Sequence, residues 1–299
     1  MPQRKFGSIF LILLLLAGVF ACDSGGKKDA DKEGFEKAKS DADADIKDQV
    51  KDVVYNIPTP SEIPYILEST GAEFNEALIN DHNNADNYLS TNDKASLNLG
   101  VFATDVGYLS SYGKVQEAIN YLNASKKLAD YLGVTGSFDV SLINKFEQNL
   151  SDRKALASLL DSTIQKTDTY LKDENRSKLA ALIITGSFVE GLYVSTKLVE
   201  TYPKDILSEE QRNLVLTKII REVLNQKESV KDVIGILEGI EQTEEITALV
   251  NSFKQLQTAY DSLNFEEQLQ NSDASTMLSD KNLLEIGRII DEVRTGIVG

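Results

Sequence analysis

The chain has 299 residues, of which 47 are acidic and 31 basic, for a net charge of −16. This balance argues against nucleic-acid binding, which needs clustered Lys and Arg, and against docking on anionic lipid through a basic face. Hydrophobic residues make up 41% of the chain, enough for a globular core. The sequence has a single cysteine, so no internal disulfide can form and stability must come from that core.

The first 22 residues have the pattern of a secretory signal. Arg4 and Lys5 form a basic head, and residues 6–21 are uncharged but shorter than the ~20 apolar residues of a membrane-spanning helix. Val19-Phe20-Ala21-Cys22 resembles the bacterial lipobox, in which the cysteine is acylated and becomes the new first residue. We expect a signal peptide over 1–21 and a lipid anchor on Cys22. The alternative is an ordinary cleaved signal with an incidental cysteine.

An acidic tether is expected over residues 22–54. It is rich in Asp, Lys, Glu and Ala and has too few apolar residues to bury, so it should be flexible. Ile46, Val50 and Val53 indicate that a helix begins near its end. Its charged start at Lys27-Lys28-Asp29 weakly resembles the surface-export signal of Bacteroidota lipoproteins. Cleavage would leave 29 basic residues against 47 acidic ones, for a net charge of −18.

Residues 55–299 are expected to form one all-α domain. Pro58, Pro60 and Pro64 mark its start, and Pro203 is the only proline after them. The long proline-free stretches are rich in Leu, Ala, Lys, Glu and Gln and lack the alternation of strands. An apolar helical stripe is predicted from Ile63 to Leu78.

Residues 81–87 are predicted to form a loop that holds the only histidine, His82. Their Asp and Asn content favours a loop of Asx turns. A calcium site is the alternative, but the spacing of an EF-hand loop fails at two of the four positions compared.

Two helices, about 95–113 and 179–196, are nearly uncharged and are expected to be central and buried. Asp105 is the only charge between Lys94 and Lys114, and Glu190 is the only charge between Lys178 and Lys197. Small residues recur at four-residue steps, which lets helix backbones approach closely. They are Ser96, Gly100 and Thr104 in the first helix, and Ser187, Gly191 and Ser195 in the second.

The two helices also look like copies of each other. Asp105 to Ser111 aligns with Glu190 to Thr196 at an offset of 85 residues, matching an acid, a tyrosine, an aliphatic residue and two hydroxyls. Each helix is followed by three more predicted helices, and a last helix covers about 279–294. We therefore predict a multi-helix bundle of two duplicated four-helix units, about 91–172 and 176–263, packed around the two uncharged helices. The helices predicted after the central ones cover about 115–132, 139–149 and 152–172, then about 208–226, 228–240 and 243–263.

Three segments of the chain resemble uncharacterised all-helical lipoproteins of Bacteroidota. They are Tyr55 to Ile63, Leu99 to Tyr108 and Asn123 to Gly133. The resemblance implies the helical fold and a place in the cell envelope. Within the envelope we expect the outer membrane rather than the inner membrane. It implies no activity.

The candidate site consists of Asp105 with Tyr108 and Glu190 with Tyr193, because an acid and a tyrosine three residues apart share a helix face. A buried polar network is the interpretation we favour. A site for a cation, amine or sugar, and acid–base catalysis by paired carboxylates, remain alternatives. We find no nucleophile with a base, no metal-ligand set and no phosphate loop in the sequence, so we expect neither an enzyme nor a cofactor beyond the lipid on Cys22.

These observations leave three hypotheses for the function. The first is a non-catalytic interaction or structural module, anchored in the membrane by its lipid and serving an envelope protein partner. The second is a lipoprotein that binds a small ligand at the acid–tyrosine site between the central helices. The third, a hydrolase using the two acids, ranks last.

Overall fold

Helices provide all the regular structure in the part of the chain that the computed structural model describes. That part comprises residues 68, 73–134, 145, 158, 177–203, 207–263, 277 and 280–299. The fold is all-α, as predicted. The signal, Cys22, the tether and the proline boundary lie outside the described residues. So do the predicted helices at 139–149 and 152–172, except for residues 145 and 158, which are helical. The described α-helices are α1 (Asn92–Ser111), α2 (Val115–Tyr131), α3 (Ser177–Thr201), α4 (Glu209–Asn225), α5 (Lys227–Gly239), α6 (Glu244–Asp261) and α7 (Lys281–Val298).

The centre of the fold is the pair α1 and α3, the two nearly uncharged helices. Most residues of both are buried, and they share the largest helix–helix contact among the described elements. They run in the same direction, because Asp93 pairs with Lys178 at 2.9 Å near their first turns and Asp105 meets Glu190 further along. Both pairs are 85 residues apart, the offset of the sequence alignment. The register fits the predicted duplication, which stays a prediction.

Two glycines bring the backbones of α1 and α3 together. A Cβ atom on Gly100 would lie 2.0 Å from the Ile183 carbonyl oxygen, and one on Gly186 would lie 1.9 Å from that of Leu97. Beside them the Thr104 and Ser187 hydroxyls are 2.8 Å apart and share a hydrogen bond. The four-residue pattern predicted Gly100 and Ser187 correctly, but it did not single out Gly186.

The other helices cover this pair. α2 packs on α1, whereas α4, α5 and α7 pack on α3, and α6 packs on α5 and α7. The last helix extends four residues beyond the predicted end at 294 and continues through Gly296 to Val298. Position 294 is therefore inside the helix.

The segment before α1 differs from the prediction. The apolar stripe does not continue as an α-helix to Leu78, because Asn75 is extended and its side chain accepts a hydrogen bond from the Ala77 N–H, starting a 3-10 helix at Glu76–Leu78. The predicted loop at 81–87 is a second 3-10 helix, His82–Tyr88, which Asp81 caps by accepting from the Asn83 N–H. The Asx turn is therefore present, as a helix cap.

The final turn of α7 is hydrogen-bonded to α1 and to the second 3-10 helix. Carbonyl groups at a helix C-terminus lack partners within the helix. Here Asn98 donates to the Ile297 carbonyl at 2.9 Å, Tyr88 to that of Val298 at 3.1 Å, and Lys94 to that of Gly299 at 2.7 Å. These bonds tie the C-terminal helix to α1 and to the second 3-10 helix.

One of the described helices, α3, is long and apolar enough to meet the criteria for a membrane span. However, 72% of its most apolar window is buried inside the protein. Glu190 lies in the middle of that helix, and a core helix explains its composition.

Candidate functional site

Asp105 and Glu190 meet in the interior, where α1 and α3 are in register. Both residues have 0% of their surface exposed. Burial of a carboxylate is costly unless hydrogen bonds and opposite charges replace water. The partners of the two acids therefore decide what this site can do.

Glu190 forms an ion pair with an arginine from the last helix. Arg294 of α7 donates from Nε and from Nη2 to the two Glu190 oxygens, both at 3.1 Å. This two-pronged geometry is the strongest that arginine offers a carboxylate. The Arg294 side chain is only 13% exposed, so water screens the pair weakly.

Asp105 has no such cation. One of its oxygens accepts a hydrogen bond from the Asn80 N–H at 3.2 Å, and the other has no N–H or O–H donor among the described residues. Burial raises the pKa of Asp105 well above its ordinary value of 3.8, and the neighbouring Glu190 charge raises it further. Burial also raises the pKa of Glu190, but Arg294 opposes that rise.

The raised pKa of Asp105 favours a proton on that residue. The Asp105 and Glu190 carboxyl groups are close enough for each to shift the pKa of the other. Two ionised carboxylates would repel each other, whereas a protonated Asp105 can donate to the Glu190 carboxylate. In that form the site is a chain from a neutral acid, to a carboxylate, to a guanidinium.

The predicted tyrosine partners are only partly correct. Tyr193 does belong to the site, because the Arg294 guanidinium carbon lies 4.4 Å from the centre of its ring. Tyr108 does not serve Asp105 as predicted. Its hydroxyl accepts a hydrogen bond from the Asn75 N–H at 3.0 Å, and its ring packs against Phe74 and Tyr112.

We expect Tyr108→Phe to lower the free energy of unfolding by about 1–3 kcal/mol, because the Asn75 N–H would lose its acceptor while the ring packing stays. Urea denaturation measures the change. Tyr131→Phe is the control: that residue is 43% exposed and its removal should leave stability unchanged. Equal stability of both variants would contradict the hydrogen bond to Asn75.

Sequence reasoning missed three members of the network: Arg294, Asn80 and Tyr88. Asn80 donates its backbone N–H to Asp105, and its side chain shares a hydrogen bond with the Tyr88 hydroxyl at 3.0 Å. Tyr88 is 1% exposed and donates to the last turn of α7. No local pattern links Arg294 to Glu190, since 104 residues separate them.

The arrangement satisfies its own charges. Glu190 is paired with Arg294, burial favours the neutral form of Asp105 by raising its pKa, and neither acid is exposed to solvent. About one helical turn before the two acids, the close backbone contact at Gly100 and Gly186 leaves no space between α1 and α3. Elsewhere in the described residues there is no group of three His, Cys, Asp or Glu side chains that could hold a metal ion.

No protein-family model matches the chain, and no curated protein or solved structure matches it. The resemblance to Bacteroidota lipoproteins therefore stays an expectation from the sequence.

Proposed function

We propose that the protein is a lipid-anchored component of the bacterial cell envelope, whose helical domain acts as a non-catalytic interaction or structural module. The anchor is the acylated Cys22, and the membrane contact is made through that lipid. The expected partner is another envelope protein.

One observation carries the non-catalytic part of this proposal. The acids that could have formed a site are used inside the protein, because Glu190 is held by Arg294 and Asp105 accepts from the Asn80 N–H. A catalytic acid or base must reach its substrate, and these two carboxyls are covered on every side. The network ties α1, α3 and α7 together, which is a structural task.

The same observation weakens the second hypothesis, a ligand held between the central helices at the acid–tyrosine site. The position that a cation or amine would take beside Glu190 is filled by the Arg294 guanidinium. That group also covers the Tyr193 ring.

The anchor is tested by Cys22→Ala in cells fed an alkyne fatty acid. Because the sequence has no other cysteine, we expect labelling of the protein to disappear and the protein to keep its signal or to leave the membrane fraction. Ser24→Ala, two residues away, should be labelled as the wild type is. Unchanged labelling of the Cys22 variant would contradict the lipid anchor.

The interaction role is tested by co-purification from native membranes. A module predicts that a specific envelope protein is recovered with the wild type and equally with Asp105→Asn, which changes the buried network but not the surface. Recovery that depends on Asp105 in a folded variant would instead support a ligand site at the acids.

A further inference from the structure

A cleft of about 300 Å³ lies beside the last turns of α3. Three helices form it: the last turns of α3, the α4 face that packs on α3, and the start of α7. Its volume is at the lower end of the ~300–1,000 Å³ that is typical of small-molecule sites. The cleft shares no residue with the Asp105–Glu190–Arg294 network.

Most of the wall is aliphatic. It is built from Val199, Ile220, Val223, Leu283 and Leu284. Leu284 is 53% exposed, one of the few large hydrophobic side chains left so open among the described residues. Transfer of such a surface to an apolar ligand is favourable in proportion to the area covered.

One side of the cleft is formed by a glycine, so no side chain projects into the cleft there. Gly287 of α7 faces the end of α3, and a Cβ atom there would lie 2.9 Å from Glu200 Oε1. Any larger residue would push into the space beside the aliphatic wall. The cleft thus has apolar walls and a side that is free of a side chain.

The described lining of the cleft has one cation and one acid. Arg212 of α4 lines the cleft, and its Nε is buried with no hydrogen-bond partner among the described residues. The acid, Glu200, is engaged through its Oε2, which accepts a hydrogen bond from Lys197 Nζ at 2.9 Å. A buried guanidinium N–H without an acceptor is costly, and an anionic oxygen is the partner that suits it best.

We propose that this cleft binds an amphiphilic carboxylate, a free medium-chain fatty acid, with the carboxylate on Arg212 and the alkyl chain along the aliphatic wall. The small volume selects a short chain, and the combination of one guanidinium with aliphatic walls selects an acid over a neutral alcohol. The fatty acid proposed here is a free ligand, distinct from the lipid proposed on Cys22, and the lining residues named above lie between positions 196 and 287.

Calorimetric titration of decanoate tests this. The sample is the full chain from residue 22 carrying Cys22→Ala, in buffer without detergent, and decanol is the uncharged comparison ligand. We expect saturable binding of decanoate at one site and at least about tenfold weaker binding of decanol, because the charge-assisted hydrogen bond to Arg212 is lost.

Two variants locate the site. Arg212→Met should weaken decanoate binding at least about tenfold while leaving decanol unchanged. Leu284→Asp, at a position exposed enough to tolerate the change, should weaken the binding of both decanoate and decanol. Arg221→Met, an exposed arginine of the same helix, is the matched control and should bind decanoate as the wild type does.

The proposal is overturned if decanoate does not bind, which would also be the result if another part of the chain already fills the cleft. It is equally overturned if decanol and decanoate bind alike and Arg212→Met changes neither, since that describes unspecific adsorption. Circular dichroism of each variant confirms that a loss of binding is not a loss of fold.

Discussion

Glu190→Gln should lower the free energy of unfolding by about 3–5 kcal/mol, the cost of leaving one partner of a buried ion pair without its counter-charge. Arg294 would keep its charge at a site where only 13% of its side chain reaches water. Urea denaturation at pH 7 measures the loss. To prevent Asp105 from ionising in compensation, the substitution is repeated together with Asp105→Asn.

The matched control is Glu292→Gln. Glu292 pairs with Arg288 on the surface, where the two side chains are 64% and 49% exposed. An exposed pair of this kind contributes less than about 1 kcal/mol. Similar losses in the two variants would contradict the buried, unscreened ion pair described above.

Asp105→Asn should act in the opposite direction. Asparagine resembles the protonated acid, since it can donate to Glu190 and accept from the Asn80 N–H. The wild type must hold a proton on Asp105 that the unfolded chain has released at neutral pH. We therefore expect the variant to be at least as stable as the wild type at pH 7.

The pH dependence follows from the same shift. A carboxyl whose pKa is raised in the folded state adds stability that is fully present below its ordinary value of 3.8 and is lost as the pH rises towards the folded value. Each pH unit in that window costs the wild type about 1.4 kcal/mol for this group. The difference between Asp105→Asn and the wild type should accordingly grow with pH. A difference that is constant with pH would mean that Asp105 is ionised in the folded protein.

The second large effect is expected from Gly100→Ala and Gly186→Ala. Each new methyl group would lie about 2 Å from a backbone carbonyl oxygen of the facing helix. A backbone segment inside a helix cannot rotate away as a side chain can, so α1 and α3 must separate. We expect each substitution to lower the free energy of unfolding by at least about 3 kcal/mol, at or above the upper range for overpacking.

Gly296→Ala separates this steric effect from the effect of alanine itself. Gly296 is also in a helix, but a Cβ atom there would meet nothing within 4 Å. Alanine should raise stability at that position by about 0.5–1 kcal/mol, because glycine is the poorer helix former. Thermal unfolding of the three variants side by side tests the point. Stable Gly100 and Gly186 variants would mean that α1 and α3 do not pack as closely as described.

The helical fold and its two central helices could be predicted because their signals are local. Charge-free stretches around Asp105 and Glu190 indicate burial, and small residues such as Gly100 and Ser187 indicate close packing. The same stretch pointed to Gly191 and not to Gly186, because the helix crossing, which the sequence does not contain, decides which small residue faces the partner.

The partners of the acids could not be predicted in the same way. The acid-x-x-Tyr spacing shows which side chains share a helix face. Glu190 and Tyr193 do belong to one site, but they are linked by Arg294, which contacts both. Asp105 and Tyr108 find other partners in Asn80 and Asn75, backbone groups that a segment without helical periodicity brings to the site. Such long-range pairings depend on tertiary structure, which no spacing within one helix encodes.

The bond between Glu190 and Arg294 also bears on the order in which the protein can fold during synthesis. At ~5–20 residues per second, the 104 residues between them take on the order of 5–20 s to emerge. Until then the pair of central helices would have to enclose an acid whose counter-ion does not yet exist. Packing of α1 against α3 in a partial chain is therefore little stabilised. The native core becomes stable only when α7 has been synthesised and supplies Arg294. For the envelope location that we propose, this delay would keep the polypeptide unfolded while it passes through a membrane.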